Sequence, residues 1–418
     1  MQIEFGASFI FLLFSVFITL LLMYGPKEEK KFLAAVIITA FLLRVIFMYL
    51  LHWQSYLDGF KGFVLGDDRL YSMKALKIAL IWQNKPYNPM FDMGGADYGI
   101  NPFTYLLALY YRFFNCNYLS SKLINCLIGS FTPLFLYFTA KNIFSPKIAK
   151  IPFLLASFYP SIVYWSICNL RDPLVIFLIT FCAYLISGLK NSRSKILRLC
   201  LIAFSIYLLK DLQKICFYAA IGAIVCSVIY RLLASLKKKE WIILSSIILA
   251  AFIIVLYNQF WPVILKQIRL IIVNNSALYL SDSAGYRIYD CKFLHAIRAG
   301  TLDIAGFIKA YFTGLAYFLF SPFPWRITRM SQLIACQQTM LWISLLLFSI
   351  LGFREGFKLS FNRTMYILTF VFIGISFFSI AEANIGAAFR HRDYFAPLVF
   401  IFAAKGIMQF LGKNDTER

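Results

Sequence analysis

Two adjacent carboxylates, Asp67 and Asp68, stand in the stretch VLGDDRLYSMKALKIALIW (64–82), just after an apolar run fit to cross a membrane. A carboxylate so placed can take a proton from an attacking hydroxyl. Two carboxylates can instead share a divalent cation, Mg or Mn, that neutralises a departing phosphate. Gly66 frees the turn before them. Leu70, Met73, Ile78, Ile81 and Trp82 then give one apolar side while Lys74 and Lys77 face elsewhere, which predicts a helix lying on the membrane surface. The acids fall at its N-terminal end, where the helix dipole favours negative charge. The plainer reading makes Asp68 an N-cap. A cap requires one such residue, and here there are two.

Two other places combine charge with apolar surroundings. In FYPSIVYWSICNLRDPLVIFLITF (158–181) Arg171 and Asp172 interrupt two apolar runs, where charges face a polar cavity or pair with each other. Asp172 before Pro173 is equally a natural helix start. In IAEANIGAAFRHRDYFAPLVF (380–400) Arg390, His391 and Arg392 precede an apolar run, and arginine forks match phosphate oxygens. Ordinary headgroup binding is the alternative there. Lys210 and Lys214, in YLLKDLQKICF, have a similar placement and are weaker phosphate candidates. His52, His295 and His391 are too scattered for a metal triad, so no metal ligands are assigned. Neither a Walker-type glycine loop nor a dinucleotide fingerprint occurs, leaving nucleotide chemistry unsupported.

The elements that must position these residues are membrane helices. Of the 418 residues 61% are hydrophobic and 14% charged, where a soluble domain is about a quarter charged. The composition predicts an all-α polytopic membrane protein. About eleven spans of the required length are found: residues 8–24, 32–51, 150–167, 173–189, 196–210, 215–233, 241–258, 338–353, 364–380 and 394–411, with one crossing in 103–139. Within the last stretch, 101–114 is too short and reads as a helix at or dipping into the surface. The N-terminal apolar run has an acidic start and no small-residue cleavage site, which predicts a retained span. No internal repeat is visible, so residues 1–418 read as one membrane domain.

The net charge of +22 comes from short basic clusters between apolar runs, a pattern of positive-inside topology rather than of nucleic-acid binding. Lys27–Lys31, Lys141–Lys150, Lys190–Arg198, Lys237–Lys239 and Arg354–Arg363 then share the cytoplasmic side. The outer side receives two long segments, 52–102 and 259–337, and twelve of the nineteen acidic residues: Asp58, Asp67, Asp68, Asp92, Asp97, Asp172, Asp211, Asp282, Asp290, Asp303, Glu382 and Asp393. Their gathering on one face points to work done there. In 259–337, FIKAYFTGLAYFLFSPFPW predicts an interfacial helix anchored by its aromatics and Trp325. The nine cysteines lie mostly in apolar runs without zinc or disulfide spacing and read as core residues.

An early apolar span, GDDRLYSMKALKIALIW, PYNP, NPFTYLLALYYRFF, FYPSIVYWSICNLRDP, LFSPFPW and the closing NIGAAFRHRDYFAPLVFIFAAKGI together resemble the multi-span glycosyltransferases of the GT-C class. They are similar in particular to bacterial relatives of the dolichyl-phosphate-mannose protein mannosyltransferases. The resemblance implies an enzyme of the bacterial inner membrane that moves a sugar from a polyprenyl-phosphate carrier to a glycan, lipid or protein acceptor on the outer face. Carried over, the family's first-loop acids fall on Asp67 and Asp68 and its later loop acid on Asp172. The residues holding the donor phosphate fall on Arg390 and Arg392, with Lys210 as a further candidate. Two other classes compete. An O-antigen-type polymerase or ligase would rely on Arg287, Arg298, Arg326 and Arg329; a flippase or transporter for lipid-linked sugars would show two similar halves.

Overall fold

In a computed structural model of the chain, residues 5–87, 100–189, 194–235, 304–327 and 330–412 are described, with the isolated positions 243, 246, 288, 289, 296 and 299. They form fourteen helices: α1 (Phe5–Tyr24), α2 (Lys30–Leu57), α3 (Gly66–Trp82), α4 (Pro102–Phe114), α5 (Tyr118–Ile143), α6 (Pro146–Phe158), α7 (Pro160–Ser166), α8 (Asp172–Ser187), α9 (Lys195–Leu212), α10 (Lys214–Ser235), α11 (Ile304–Phe320), α12 (Met330–Ala381), α13 (Ile385–Arg392) and α14 (Ala396–Phe410). Several starts are written in the sequence. Asn101 and Asn117 cap α4 and α5 by accepting backbone N–H groups, and Pro102, Pro146, Pro160 and Pro173 stand in first turns that leave N–H groups unpaired anyway. The chain is an integral, multi-pass membrane protein.

The expected eleven crossings are too many for the described residues. Among these, five helices (α1, α2, α5, α10 and α12) are long and apolar enough to span, or six if a bent pair counts as one crossing. That pair is α6 and α7, which the sequence reads as one span over 150–167; Pro160 breaks it, with a bend of 52°. The runs at 364–380 and 338–353 belong to one 52-residue element interrupted at Ser360. The final helix and α8 are apolar but short, and 241–258 lies outside the described residues, as do Asp92, Asp97, Asp282, Asp290, Asp303, Arg287, Arg298, Arg329 and His295.

The chain divides into two compact units, Met1–Lys214 with Ala404–Arg418, and Ile215–Ala403. In the first, α5 is the hub, packing on α1, α2, α6 and α8. Aromatic rings join the first helices to it, with Phe14 stacked on Phe41 at 4.1 Å and beside Phe131 at 5.8 Å. The short α3 and α4 pack against each other, Tyr71 edge-on to Phe103. In the second unit α11 lies along α12, close enough that Gly314 meets the Ser379 carbonyl where any side chain would collide. The 259–337 expectation is met in part: α11 is an apolar helix, and Trp325 beyond it is exposed and stacked on Phe323 at 5.0 Å. Cys126 and Cys182 are buried as expected, while Cys226 lies on a helix surface.

Candidate active site

The predicted acid-bearing helix exists: α3 begins at Gly66 with Asp67 and Asp68 in its first turn. Its N-cap, Leu65, has no side chain that can cap, so the acids supply the negative charge at this helix end. Their environments differ sharply. Asp68 is fully buried and faces Lys122 of α5, also fully buried, across 3.0 Å. Its Oδ2 also accepts the Val64 N–H and its Oδ1 the Asn169 N–H, both at 3.1 Å. Every oxygen of Asp68 is thus engaged by the protein, whereas Asp67 is half-buried.

This anchor is a network. Lys122 also donates to the Gly62 carbonyl at 2.9 Å, and the left-handed φ of +84° at Gly62 explains the glycine there. The Asn169 amide donates to Ser72 at 3.0 Å and Ser121 at 2.9 Å. The Ser121 hydroxyl also meets the Tyr111 phenol, which burial pushes well above its ordinary pKa, keeping it a neutral hydrogen-bonding group. Asn125 of α5 holds the carbonyls of Cys168 and Leu170 at 2.6 and 2.8 Å, fixing the turn that leads to Asp172. The first acidic loop and the 168–171 turn are therefore joined. Asp172 itself begins α8, next to Pro173, and is buried and partnered.

Lys74 does not face away from the apolar side of α3: it is fully buried, and Ile81 is exposed instead. The helix packs α4 on a face that the simple apolar count misplaced. The idea of a cation shared by Asp67 and Asp68 also meets an obstacle, because the Asp68 carboxylate is consumed by Lys122 and two N–H groups. Among the described residues no three His, Cys, Asp or Glu are grouped to hold a metal.

In the second unit the two arginines also part ways. Arg392 is 1% exposed, its NH1 donating to the carbonyls of Leu319 and Ser321 and its NH2 to Thr339, each at 3.1 Å. Its guanidinium lies over Phe389 and Trp342 at 4.9 and 5.5 Å. It ties α13 to the end of α11 and to α12. Arg390, on the same short helix, is half-buried. Between them His391 Nδ1 meets Glu382 Oε1 at 2.6 Å. Lys210 is exposed at the last turn of α9.

Sequence reasoning missed Lys122, Asn169 and Glu382 as partners. In α5, Lys122 and Asn125 stand one turn apart within the first turns of an apolar helix, and that was a signal, since buried polar groups must be paired.

Residues 102–261 match the family model of the dolichyl-phosphate-mannose-protein mannosyltransferases. The resemblance read in the sequence holds. The match takes in α4 to α10 and the turn before α8, and with them Lys122, Asn125, Asn169 and Asp172. Among solved structures the chain is similar to the archaeal oligosaccharyltransferase AglB from Archaeoglobus fulgidus, determined with an inhibitory peptide and a dolichol-phosphate. The TM-score is 0.50 at 15% identity, covering 93% of this chain and 51% of that one. The fold is thus GT-C-like, and the chain spans about half the length of that relative. No curated protein sequence matches the chain.

Proposed function

We propose that the protein is a membrane glycosyltransferase moving a sugar from a polyprenyl-phosphate donor to an acceptor hydroxyl at the outer face of the membrane. The observation that carries this reading is the burial of the acid pair: at one helix start Asp68 is fully buried against Lys122 at 3.0 Å, while Asp67 keeps part of its surface exposed. The family match and the fold support the same class. A lipid-phosphate donor accords with the dolichol-phosphate bound by the AglB structure, and a glycan, lipid or peptide can serve as acceptor.

In this reading Asp67 accepts the proton of the acceptor hydroxyl as its oxygen attacks the anomeric carbon. The bond from that carbon to the lipid phosphate breaks on the opposite face, inverting the configuration. Lys210, in the same unit as Asp67, is the candidate to hold the departing phosphate, as a point charge. Arg392 keeps α13 in place, and Asp68 and Asp172 hold the loops that present Asp67. The test is release of polyprenyl phosphate from a panel of polyprenyl-phosphate sugars by the purified protein in liposomes. Acceptor-dependent release supports the reading, and its absence across donors that bind would contradict it.

A further inference from the structure

The turn between α2 and α3 has a side that the acid anchor does not use. Phe60 to Phe63 form a tight turn, closed by the Phe63 N–H on the Phe60 carbonyl at 3.1 Å. Both central residues are left-handed, with φ of 53° at Lys61 and 84° at Gly62. The inner half is pinned. The Gly62 carbonyl accepts from Lys122 at 2.9 Å and from His52 Nδ1 at 3.1 Å, and the Phe63 carbonyl accepts from the Ser55 hydroxyl at 2.5 Å. Phe63 itself is buried beside Tyr118, with ring centroids 4.9 Å apart.

The outer half faces away from the protein. Phe60 is 67% exposed, and Lys61 is exposed without a hydrogen bond or ion pair to a described residue. Neither residue serves the turn. Glycine and asparagine take a left-handed φ at less cost than lysine, and a phenylalanine ring held in water loses the free energy that burial would give it.

This outer half continues a surface of α2. Ile46, Leu50, Trp53 and Leu57 are all exposed, and steps of four, three and four residues put them on one face of a helix long and apolar enough to cross a membrane. Trp53 and the exposed Tyr56 are the residue types that gather where hydrocarbon meets headgroups. Phe60 and Lys61 follow directly, so they fall at the level where lipid phosphates begin. A lysine at that level complements an anionic headgroup.

We propose that Phe60 and Lys61 form a membrane anchor, Phe60 entering the boundary of the hydrocarbon and Lys61 binding the phosphate of an anionic phospholipid. The occupant is bilayer lipid rather than a second copy of the chain, because the patch is continuous with the exposed face of a spanning helix and ends in a cation. The pinned inner half carries the anchor's effect inward: Gly62 is bound to Lys122, Lys122 pairs with Asp68, and Asp68 holds the Val64 N–H. The anchor thereby sets the depth of the acid-bearing helix in the membrane. The inference stands apart from the glycosyl-transfer reading, since lipid contact requires no chemistry.

The test uses the full chain in lipid nanodiscs holding equal amounts of phosphatidylglycerol and phosphatidylcholine. A photoreactive ring is placed by Phe60→p-benzoylphenylalanine, and by Leu50→p-benzoylphenylalanine on the exposed face of α2 as a reference. After irradiation the mass of the intact protein reports what has been captured. Position 60 should capture phospholipid in a yield comparable to position 50. The ratio of phosphatidylglycerol to phosphatidylcholine captured at position 60 should fall about fivefold on adding Lys61→Gln, the worth of one lysine near an anionic surface. Both side chains are exposed, so the variants should melt as the parent does. Lipid captured at position 50 and none at position 60 overturns the anchor. Covalent dimers at position 60 in place of lipid assign the patch to a second copy and overturn the lipid occupant. A ratio unchanged by Lys61→Gln overturns the role of Lys61. A protein that transfers no sugar would give the same adducts, so the two readings fail separately.

Discussion

Asp68 is the residue whose environment is most costly to disturb. Replacing it with Asn leaves Lys122 charged and buried, and breaking a buried pair on one side costs about 3–5 kcal/mol. Asp68→Asn and Lys122→Met should each lower the unfolding temperature in detergent, and the double variant Asp68→Leu with Lys122→Met should recover part of the loss, because it leaves no orphaned charge but strands the Val64 and Asn169 N–H groups and the Gly62 carbonyl. Arg392→Gln strips three hydrogen bonds to Leu319, Ser321 and Thr339 and should reduce thermal stability in the same way. The sequence displays the acids and arginines plainly, since charges stand out against apolar runs. It cannot say which groups each of them meets, because the partners lie far along the chain: Asn169 is 101 positions from Asp68 and Leu319 is 73 from Arg392.

The α6–α7 break shows the same limit for an element. Apolar content makes 150–167 look like one span, yet Pro160 removes the hydrogen bond that would continue the helix. Arg44 of α2, fully buried, answers the break: its NH1 donates to the Ser157 carbonyl at 3.0 Å and its Nε to the Ser166 hydroxyl at 2.9 Å. Gly129 of α5 gives both groups room. Arg44 therefore fixes the segment that runs on to Asn169 and the acid anchor. Arg44→Met should destabilise by about 1–3 kcal/mol for each buried acceptor left unpaired, as measured by thermal unfolding in detergent. Helix starts were legible because Asn, Ser and Pro act locally. Helix continuity was not, because it depends on whether a distant arginine satisfies the exposed carbonyls.

Across the whole molecule, charge placement is the most legible feature, and one of its members links stability to pH. Glu29, at the start of α2, is paired with Lys141 at 2.9 Å. Burial by itself would raise its pKa, but the nearby Tyr137 phenol, the hydrogen bond from Lys141 and the charges of Lys141 and Lys150 outweigh it and hold the carboxyl below its ordinary 4.5. A lowered carboxyl pKa stabilises the fold above the ordinary value, and that stability is lost as pH falls through the lowered one. Parent and Glu29→Gln should differ in melting temperature at neutral pH and converge on acidification below about 4.5. The likeness to the archaeal oligosaccharyltransferase covers 93% of the chain; the all-helical membrane character was accessible from hydropathy, whereas the number of crossings was not, since among the described residues five or six helices are long and apolar enough to span. The central claim is that one acid of the pair does chemistry and the other holds the structure. It is tested most directly by the rate at which Asp67→Asn protein, in liposomes and folded as the parent is, releases polyprenyl phosphate in the presence of acceptor. The account predicts a fall of about 10²–10⁴-fold with donor binding retained; release at the parent rate would contradict it.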